Sequence, residues 1–329
     1  MGTVFVTGGS GFVGGALIDV LVELGETVEA LARTPAAEAA VVARGAVPVR
    51  GDLSEGDALA FGMREAELVV HAAARLLGGH RELSSFRRVN VEGTAAVLSA
   101  ARKAGVPRVV FVGTEQVVLG DRPLVGADET WPYAETPVGP YAETKAEAER
   151  LALAASTATM AVVSVRPRLV WGRGDTTVLP ELSRAARAGR LRWVGGGDYL
   201  TSTTHVRNAV EGILAAAERG RGGEAYFVTD GAPVPFREFA SALLATRGVP
   251  APTGTVPRWL ARGLATAAGV AWKVLPGEPP LDPVALRVIG ETCTIRDDKA
   301  RRELGYEGKV TREQGLAELR SEENAGHAV

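Results

Sequence analysis

The chain has 329 residues, 46% hydrophobic and 23% charged, with a formal net charge of −2. That length supports a sizeable core, in one large α/β domain or two closely joined ones, and the near-neutral charge gives no electrostatic reason for a nucleic-acid or membrane-surface partner. The single cysteine, Cys293, excludes an intramolecular disulfide and, with only four histidines, argues against a metal site, so a reducing cytoplasm is the expected location.

The apolar start, Met1 to Leu24, reads against a signal peptide. It lacks a basic leader, carries Asp19 and Glu23, and holds six glycines between Gly2 and Gly15. Near-continuous apolar runs follow at Thr3–Thr7, Thr27–Ala32, Ala46–Arg50, Glu67–Ala72 and Arg108–Gly113. Such runs suit parallel strands buried on both faces. Between the first two, Val13, Ala16, Leu17, Val20, Leu21 and Leu24 recur at helical spacing, and Gly25 supplies a stop. Strands alternating with helices predict an α/β fold, a Rossmann-type doubly wound parallel sheet.

A further strand is expected within Met160–Gly172. Beyond it the pattern loosens, and the chain closes in helices separated by Pro and Gly turns. The expected organisation is a dinucleotide-binding domain over 1–165, with returns to its sheet and helices near 204–232. A smaller, mostly helical substrate-binding region takes 166–203 and 233–329. The strongest membrane candidate, Trp259–Pro276, contains Arg262 and Lys273 and falls short of the roughly 20 apolar residues a bilayer needs.

The segment "VFVTGGSGFVGGALIDVL" sets Gly8, Gly11 and Gly14 between a strand and a helix. Glycine suits a tight turn, lets backbone N–H groups approach a pyrophosphate, and permits close helix–strand packing. A lone glycine triplet is a flexible turn as readily as a nucleotide site. Its place after an N-terminal strand, opening an amphipathic helix with Phe12 and Val13, points to dinucleotide binding. An acid closing the second strand would favour NAD, but Ala32 holds that position and Arg33 follows. A guanidinium there can pair with a 2′-phosphate, or can simply sit in an exposed loop. NADP is therefore preferred, with NAD the alternative. Asp52 and Leu53 suit contacts to the adenine ring, and Ala72 and Ala73 offer small side chains where a strand end passes under the cofactor.

Tyr141 and Lys145, four apart in "GPYAETKAEAER", share one face of a predicted helix. A free tyrosine has a pKa near 10, and a nearby ammonium would favour its phenolate and make it a usable acid–base group. Lys145 can also donate to a nicotinamide ribose. Two polar residues on the outside of a charged helix would give the same spacing.

On "TGGSGFVG", the Asn90–Thr94 segment, "GPYAETK", "RPRLVWG" and the terminal Asp297–Tyr306, the chain resembles the extended short-chain dehydrogenase/reductases. Within them it is most similar to the 3β-hydroxysteroid dehydrogenase and dihydroflavonol reductase branch. The resemblance implies Tyr141 as the acid–base group, Lys145 as its electrostatic partner, and cofactor contacts that extend to Pro167. It also implies a serine after the fifth strand, whose hydroxyl holds the substrate oxygen. Here Glu115 takes that position with Thr114 before it, so Thr114 is expected to assume the role, unless its hydroxyl only caps its own turn. Glu115 then contacts substrate or weakens the site.

Sugar-nucleotide epimerases and dehydratases share these motifs but resemble one another in an Asn where this chain has Leu169. In the branch resembled, Val256–Pro276 helps close the substrate pocket. Its Trp259, Leu260, Leu264 and Val270 read equally as an apolar wall or as ordinary core. His205 is expected at the pocket rim, and His71 and Asn90 as braces of the active-site helices and strands, with Asn90 also able to order a relay water.

The expected protein is thus an NAD(P)-dependent oxidoreductase that interconverts a secondary alcohol and a ketone on a hydrophobic small molecule, of steroid, terpenoid or polyketide type. The alternatives are a sugar-nucleotide epimerase or dehydratase, and a nucleotide-sensing regulator without catalysis. A homodimer through two helices per subunit is the fold-level analogy.

Overall fold

In the computed structural model, which describes residues 2–76, 78, 82–261, 263, 264 and 283–326, seven strands form the central sheet. They are β1 (Thr3–Thr7), β2 (Thr27–Ala32), β3 (Val47–Arg50), β4 (Ala66–His71), β5 (Arg108–Val112), β6 (Ala161–Pro167) and β7 (Ala225–Val228). Their order is β7-β6-β5-β4-β1-β2-β3, and every neighbouring pair is parallel.

The apolar runs form these strands because alternate residues face opposite layers of helix. Val4, Val6, Leu68, Val70, Val110, Val163 and Val165 pack in one core with Leu17, Ile18, Val210 and Ile213, from the Phe12–Glu23 and Val206–Arg219 helices. Phe5, Val69, Val109, Phe111 and Val162 pack in the other with Leu59, Met63, Val97, Ala101, Ala148 and Ala152. This is the doubly wound arrangement that the alternation of strands and helices predicts.

The strand expected over Met160–Gly172 is two strands in two sheets. β6 ends at Pro167, the chain takes a left-handed conformation at Leu169 (φ 41°), and Val170–Trp171 pairs with Thr204–His205. A left-handed non-glycine residue cannot continue a pleated strand. A second sheet joins Val234–Pro235, Leu200–Thr201, Cys293–Ile295 and Leu124–Ala127. It ties the carboxy-terminal segments to the loop that follows β5.

Trp259 is 75% exposed and Leu264 51% exposed, so neither belongs to a core; Val270 lies outside the described residues. Among the described residues, no helix is long and apolar enough to cross a membrane.

Sheet order reverses between β1 and β4, and ligands of such sheets bind beyond the strand ends at that switch. The residues that leave the carboxyl ends of β1, β4 and β5 are Gly8, Ala72 and Gly113.

Candidate active site

The glycine turn is shaped by what its neighbours exclude. A Cβ on Gly14 would lie 2.2 Å from the Gly8 carbonyl oxygen, and one on Gly8 (φ 76°) 2.6 Å from the Ala73 nitrogen. Glycine there lets β1, the end of β4 and the Phe12–Glu23 helix approach one another. That helix begins at exposed Gly11 with no side chain capping it. Its first N–H groups therefore lack a side-chain acceptor, and its dipole adds partial positive charge. An uncapped helix start beside a turn without side chains fits a pyrophosphate. Phe12 and Val13 form its first turn, both partly buried.

At the other end of this cleft, Arg33 Nη1 lies 3.5 Å from Asp52 Oδ2, with the Arg33 side chain 71% exposed. Thr34 caps the Pro35–Val42 helix by accepting from the Ala37 nitrogen at 3.2 Å. Arg33 is thus held at a second helix start. Asp52 Oδ1 accepts from the Ser54 nitrogen and hydroxyl, and Leu53 fills the space a Cβ on Gly93 would need.

Beyond β5 the chain is pressed against the Pro140–Ala154 helix. A Cβ on Gly113 would lie 2.8 Å from both Glu149 Oε1 and Ser164 Oγ. Thr114 follows. Its hydroxyl accepts from the Gln116 nitrogen at 3.3 Å and donates to Glu115 Oε2 at 2.9 Å.

Burial and the neighbouring Glu115 carboxylate push the Tyr141 phenol above the ordinary tyrosine value, while the Thr114 hydroxyl works in the opposite direction. The net rise is opposite to the lowering expected from Lys145, and the geometry gives the reason. Lys145 Nζ donates to the Val112 carbonyl at 2.7 Å and lies 3.9 Å over the Phe111 ring. Burial lowers this ammonium to about 7, against the opposing charge of Glu149.

Glu115 is 2% exposed, and both of its oxygens are engaged. Oε1 accepts from Arg168 Nη1 at 2.5 Å and Oε2 from Thr114. Glu115 is thus a buried carboxylate paired within the protein, where the expectation was a substrate contact. Arg168, 1% exposed, also donates from Nη2 to the Val288 carbonyl at 2.7 Å and to Thr201 Oγ1 at 3.1 Å. Sequence reasoning missed this arginine, whose one local signal is a second charge, two residues after Arg166, in a run of mostly apolar residues. Pro167 is buried at the end of β6, two residues before the partly exposed Leu169.

The braces are explicit. His71 Nδ1 meets Thr7 Oγ1 at 2.6 Å and Nε2 meets Thr94 Oγ1 at 2.9 Å. Burial, then the charge of Lys145, lowers the imidazole to about 3. Asn90 sits in a π-helical stretch, Arg87–Glu92. Its Nδ2 donates to the Arg75 carbonyl and to Thr144 Oγ1, and its Oδ1 accepts from the Arg75 nitrogen. With both N–H donors spent, Asn90 ties the loop after β4 to the helix of Tyr141.

His205 differs from the expected rim residue. Its side chain is fully buried, edge-on to Trp171 and against Gly315, with Nε2 3.8 Å from Glu318. The Arg312–Gly326 helix covers it through Gly315 and Glu318. Cys293 is packed in the core with Val117 and Leu124.

Comparison with known proteins finds relatives of the whole chain. A model of the 3-beta hydroxysteroid dehydrogenase/isomerase family matches residues 5–258. The 4-hydroxy-2-methyl-3-oxo-4-farnesyl-3,4-dihydroquinoline-1-oxide ketoreductase of Stigmatella aurantiaca is 47% identical over 327 residues, spanning 99% of this chain and 98% of that protein. A 2-alkyl-3-oxoalkanoate reductase of Stenotrophomonas maltophilia is 37% identical, spanning 97% and 98%. Among solved structures, a dTDP-glucose 4,6-dehydratase double mutant of Streptomyces venezuelae with NAD bound superposes with a TM-score of 0.76 at 26% identity, covering 98% of each chain.

Proposed function

The chain belongs to the 3-beta hydroxysteroid dehydrogenase/isomerase family, and from that premise we propose that it reduces a ketone on a hydrophobic small molecule with NADPH. It is an extended short-chain dehydrogenase/reductase, an NAD(P)-dependent oxidoreductase. The observation that carries the proposal is Tyr141 and Lys145 one turn apart on the Pro140–Ala154 helix, with Lys145 Nζ bound to the Val112 carbonyl at the carboxyl end of β5.

A nicotinamide dinucleotide, when bound, supplies or accepts the hydride. The chain's residues bind it, orient the carbonyl and move the proton. Gly8, Gly11 and Gly14 and the uncapped helix start would hold the pyrophosphate, Arg33 the 2′-phosphate, Asp52 and Leu53 the adenine side, and Ala72, Ala73 and Pro167 the nicotinamide side. Lys145 would grip the nicotinamide ribose. Tyr141 gives its phenolic proton to the carbonyl oxygen, a contribution of typically 10²–10⁴-fold. Thr114 would orient the carbonyl.

Two features support an apolar ketone over a sugar nucleotide: Leu169 in place of an amide side chain, and relatives named as reductases of alkyl and farnesyl compounds. The same reading places the enzyme in the cytoplasm as a homodimer.

The test follows nicotinamide absorbance with purified protein, NADPH or NADH, and a panel of 2-alkyl-3-oxo acids, quinolones and steroid ketones, with Tyr141→Phe in parallel. Turnover with NADPH that collapses in the variant is expected. Turnover undiminished in Tyr141→Phe would remove the tyrosine from the mechanism.

A further inference from the structure

The near-neutral total conceals where the charges lie. From Leu182 to Gly197, and again from Phe239 to Gly277, the sequence holds no Asp or Glu. The fold joins these acid-free stretches, because Trp193–Val194 and Thr255–Val256 pair as parallel strands. Arg192 comes to lie against Gly254, whose added Cβ would meet its Cδ at 2.6 Å, and Arg258 lies as close to Gly195. Arg237, from the Phe236–Ala245 helix, closes on the same turn beside Gly197. Its guanidinium lies 5.7 Å from the Trp193 ring, and that of Arg258 lies 5.9 Å from the Tyr199 ring.

All three arginines are exposed, as are Arg187 and Arg190 at the end of the Val178–Arg187 helix. Among the described residues, none of these five is paired with a carboxylate. The acids that border the turn are Asp198, beside Gly196, and Glu238, next to Arg237 in the chain. The patch is therefore strongly positive on a protein whose net charge is −2.

An apolar ridge adjoins it. The chain enters a helix at Arg258, and Ala261 anchors that helix, 1% exposed and packed with Leu286, Val194 and Val256. With a helical period of about 3.6 residues, Trp259 falls opposite Ala261, Leu260 and Leu264 share one flank, and Arg258 takes the other. Trp259, Leu260 and Leu264 are 75%, 37% and 51% exposed.

We propose that this face docks on an anionic lipid bilayer, with Trp259, Leu260 and Leu264 entering the headgroup layer and the arginines meeting lipid phosphates. Indole rings settle at headgroup level, and each arginine near an anionic surface adds attraction. Guanidinium groups bind phosphate through paired hydrogen bonds while their stems lie along apolar surface. The charge pattern favours lipid over a second copy of the chain, since a two-fold contact through this face would set the arginines against one another. Among the described residues no helix is long and apolar enough to cross a membrane, so the contact is at the surface. Docking goes beyond the reaction proposed above and does not depend on it. It adds a route by which an apolar ketone dissolved in lipid reaches the enzyme.

The experiment is co-sedimentation of the full-length protein with vesicles of phosphatidylcholine alone, or of phosphatidylcholine and phosphatidylglycerol in equal parts. Partition into the mixed vesicles is expected to be about tenfold stronger or more, and to fall as salt screens the surface. Arg237→Ser and Arg258→Ser should each lower the partition coefficient about fivefold, and Trp259→Ser at least as much. Melting curves matching the parent check that these exposed substitutions leave the fold intact.

Equal partition into both kinds of vesicle, or none into either, overturns the proposal. Binding that survives both Trp259→Ser and Arg258→Ser overturns it too, by putting the contact on another face. Sedimentation velocity without lipid is the remaining arm. Self-association that Trp259→Ser abolishes, with no vesicle binding, would give this face to a second copy instead.

Discussion

Glu149 lies one helical turn beyond Lys145, and its carboxylate takes three bonds from Arg166, at 3.0, 3.1 and 2.6 Å. Ser164 donates to the same carboxylate at 2.5 Å, and none of the Glu149 side chain is exposed. The catalytic helix is thereby pinned to β6 from behind, while the negative charge supports the Lys145 ammonium. Glu149→Gln strands a buried guanidinium, which costs about 3–5 kcal/mol. It also lets Lys145 lose its proton at lower pH, so the alkaline limb of kcat/KM moves down. Urea unfolding and a pH–rate profile on the same variant check both effects, and an unchanged unfolding midpoint would show that the pair carries no such load.

Arg33 directly follows β2, and its carboxylate partner at 3.5 Å is only loosely engaged. Replacing it with Ala should weaken NADPH binding tenfold or more, in keeping with the roughly 1.5–3 kcal/mol of a charge-assisted bond. NADH affinity should stay within twofold. Quenching of protein fluorescence on titrating each dinucleotide gives the two constants. Equal losses for both would assign Arg33 to general electrostatics and leave the 2′-phosphate without a partner.

Leu169 holds a left-handed backbone (φ 41°) between buried Arg168 and the Val170–Trp171 strand. That conformation costs an ordinary residue about 1–2 kcal/mol, whereas Asn tolerates it. Leu169→Asn should therefore raise the melting temperature, while raising KM for apolar ketones if the partly exposed leucine meets substrate. A lowered melting temperature would mean that leucine packing outweighs the strain.

His71 and His205 are both held neutral by burial, at about 3 and about 4 against 6.5 for a free imidazole. The unfolded chain then binds more protons than the folded one between these values and pH 6.5. Stability is full above pH 6.5 and falls as pH drops through the window, each unit of displacement being worth ~1.4 kcal/mol. His205→Gln should flatten the decline over pH 4–6.5, read from urea midpoints at each pH. An identical slope in the variant would place the acid sensitivity elsewhere.

Local signals carry far in this protein. Runs such as "TVFVT" form parallel strands with the bounds the pattern predicts, Thr3–Thr7, because both faces of each must be apolar to lie between helix layers. Tyr141 and Lys145 fall in one helix because their spacing and their surroundings are properties of a single segment. The break in Met160–Gly172 was not legible, since the turn at Leu169 serves a buried guanidinium whose partners come from elsewhere.

The sequence by itself determined the doubly wound sheet, the glycine turn and the helix of the tyrosine, all of which follow from periodicity and from residue conformational preference within a few turns of chain. Only the tertiary structure decided that Glu115 is locked by Arg168, 53 residues away, that Glu149 is locked by Arg166, and that His205 lies under the last helix. Those outcomes depend on which charges share a dry interior. Desolvation makes such pairings obligatory once the chain has folded, but nothing in the linear order names the partner.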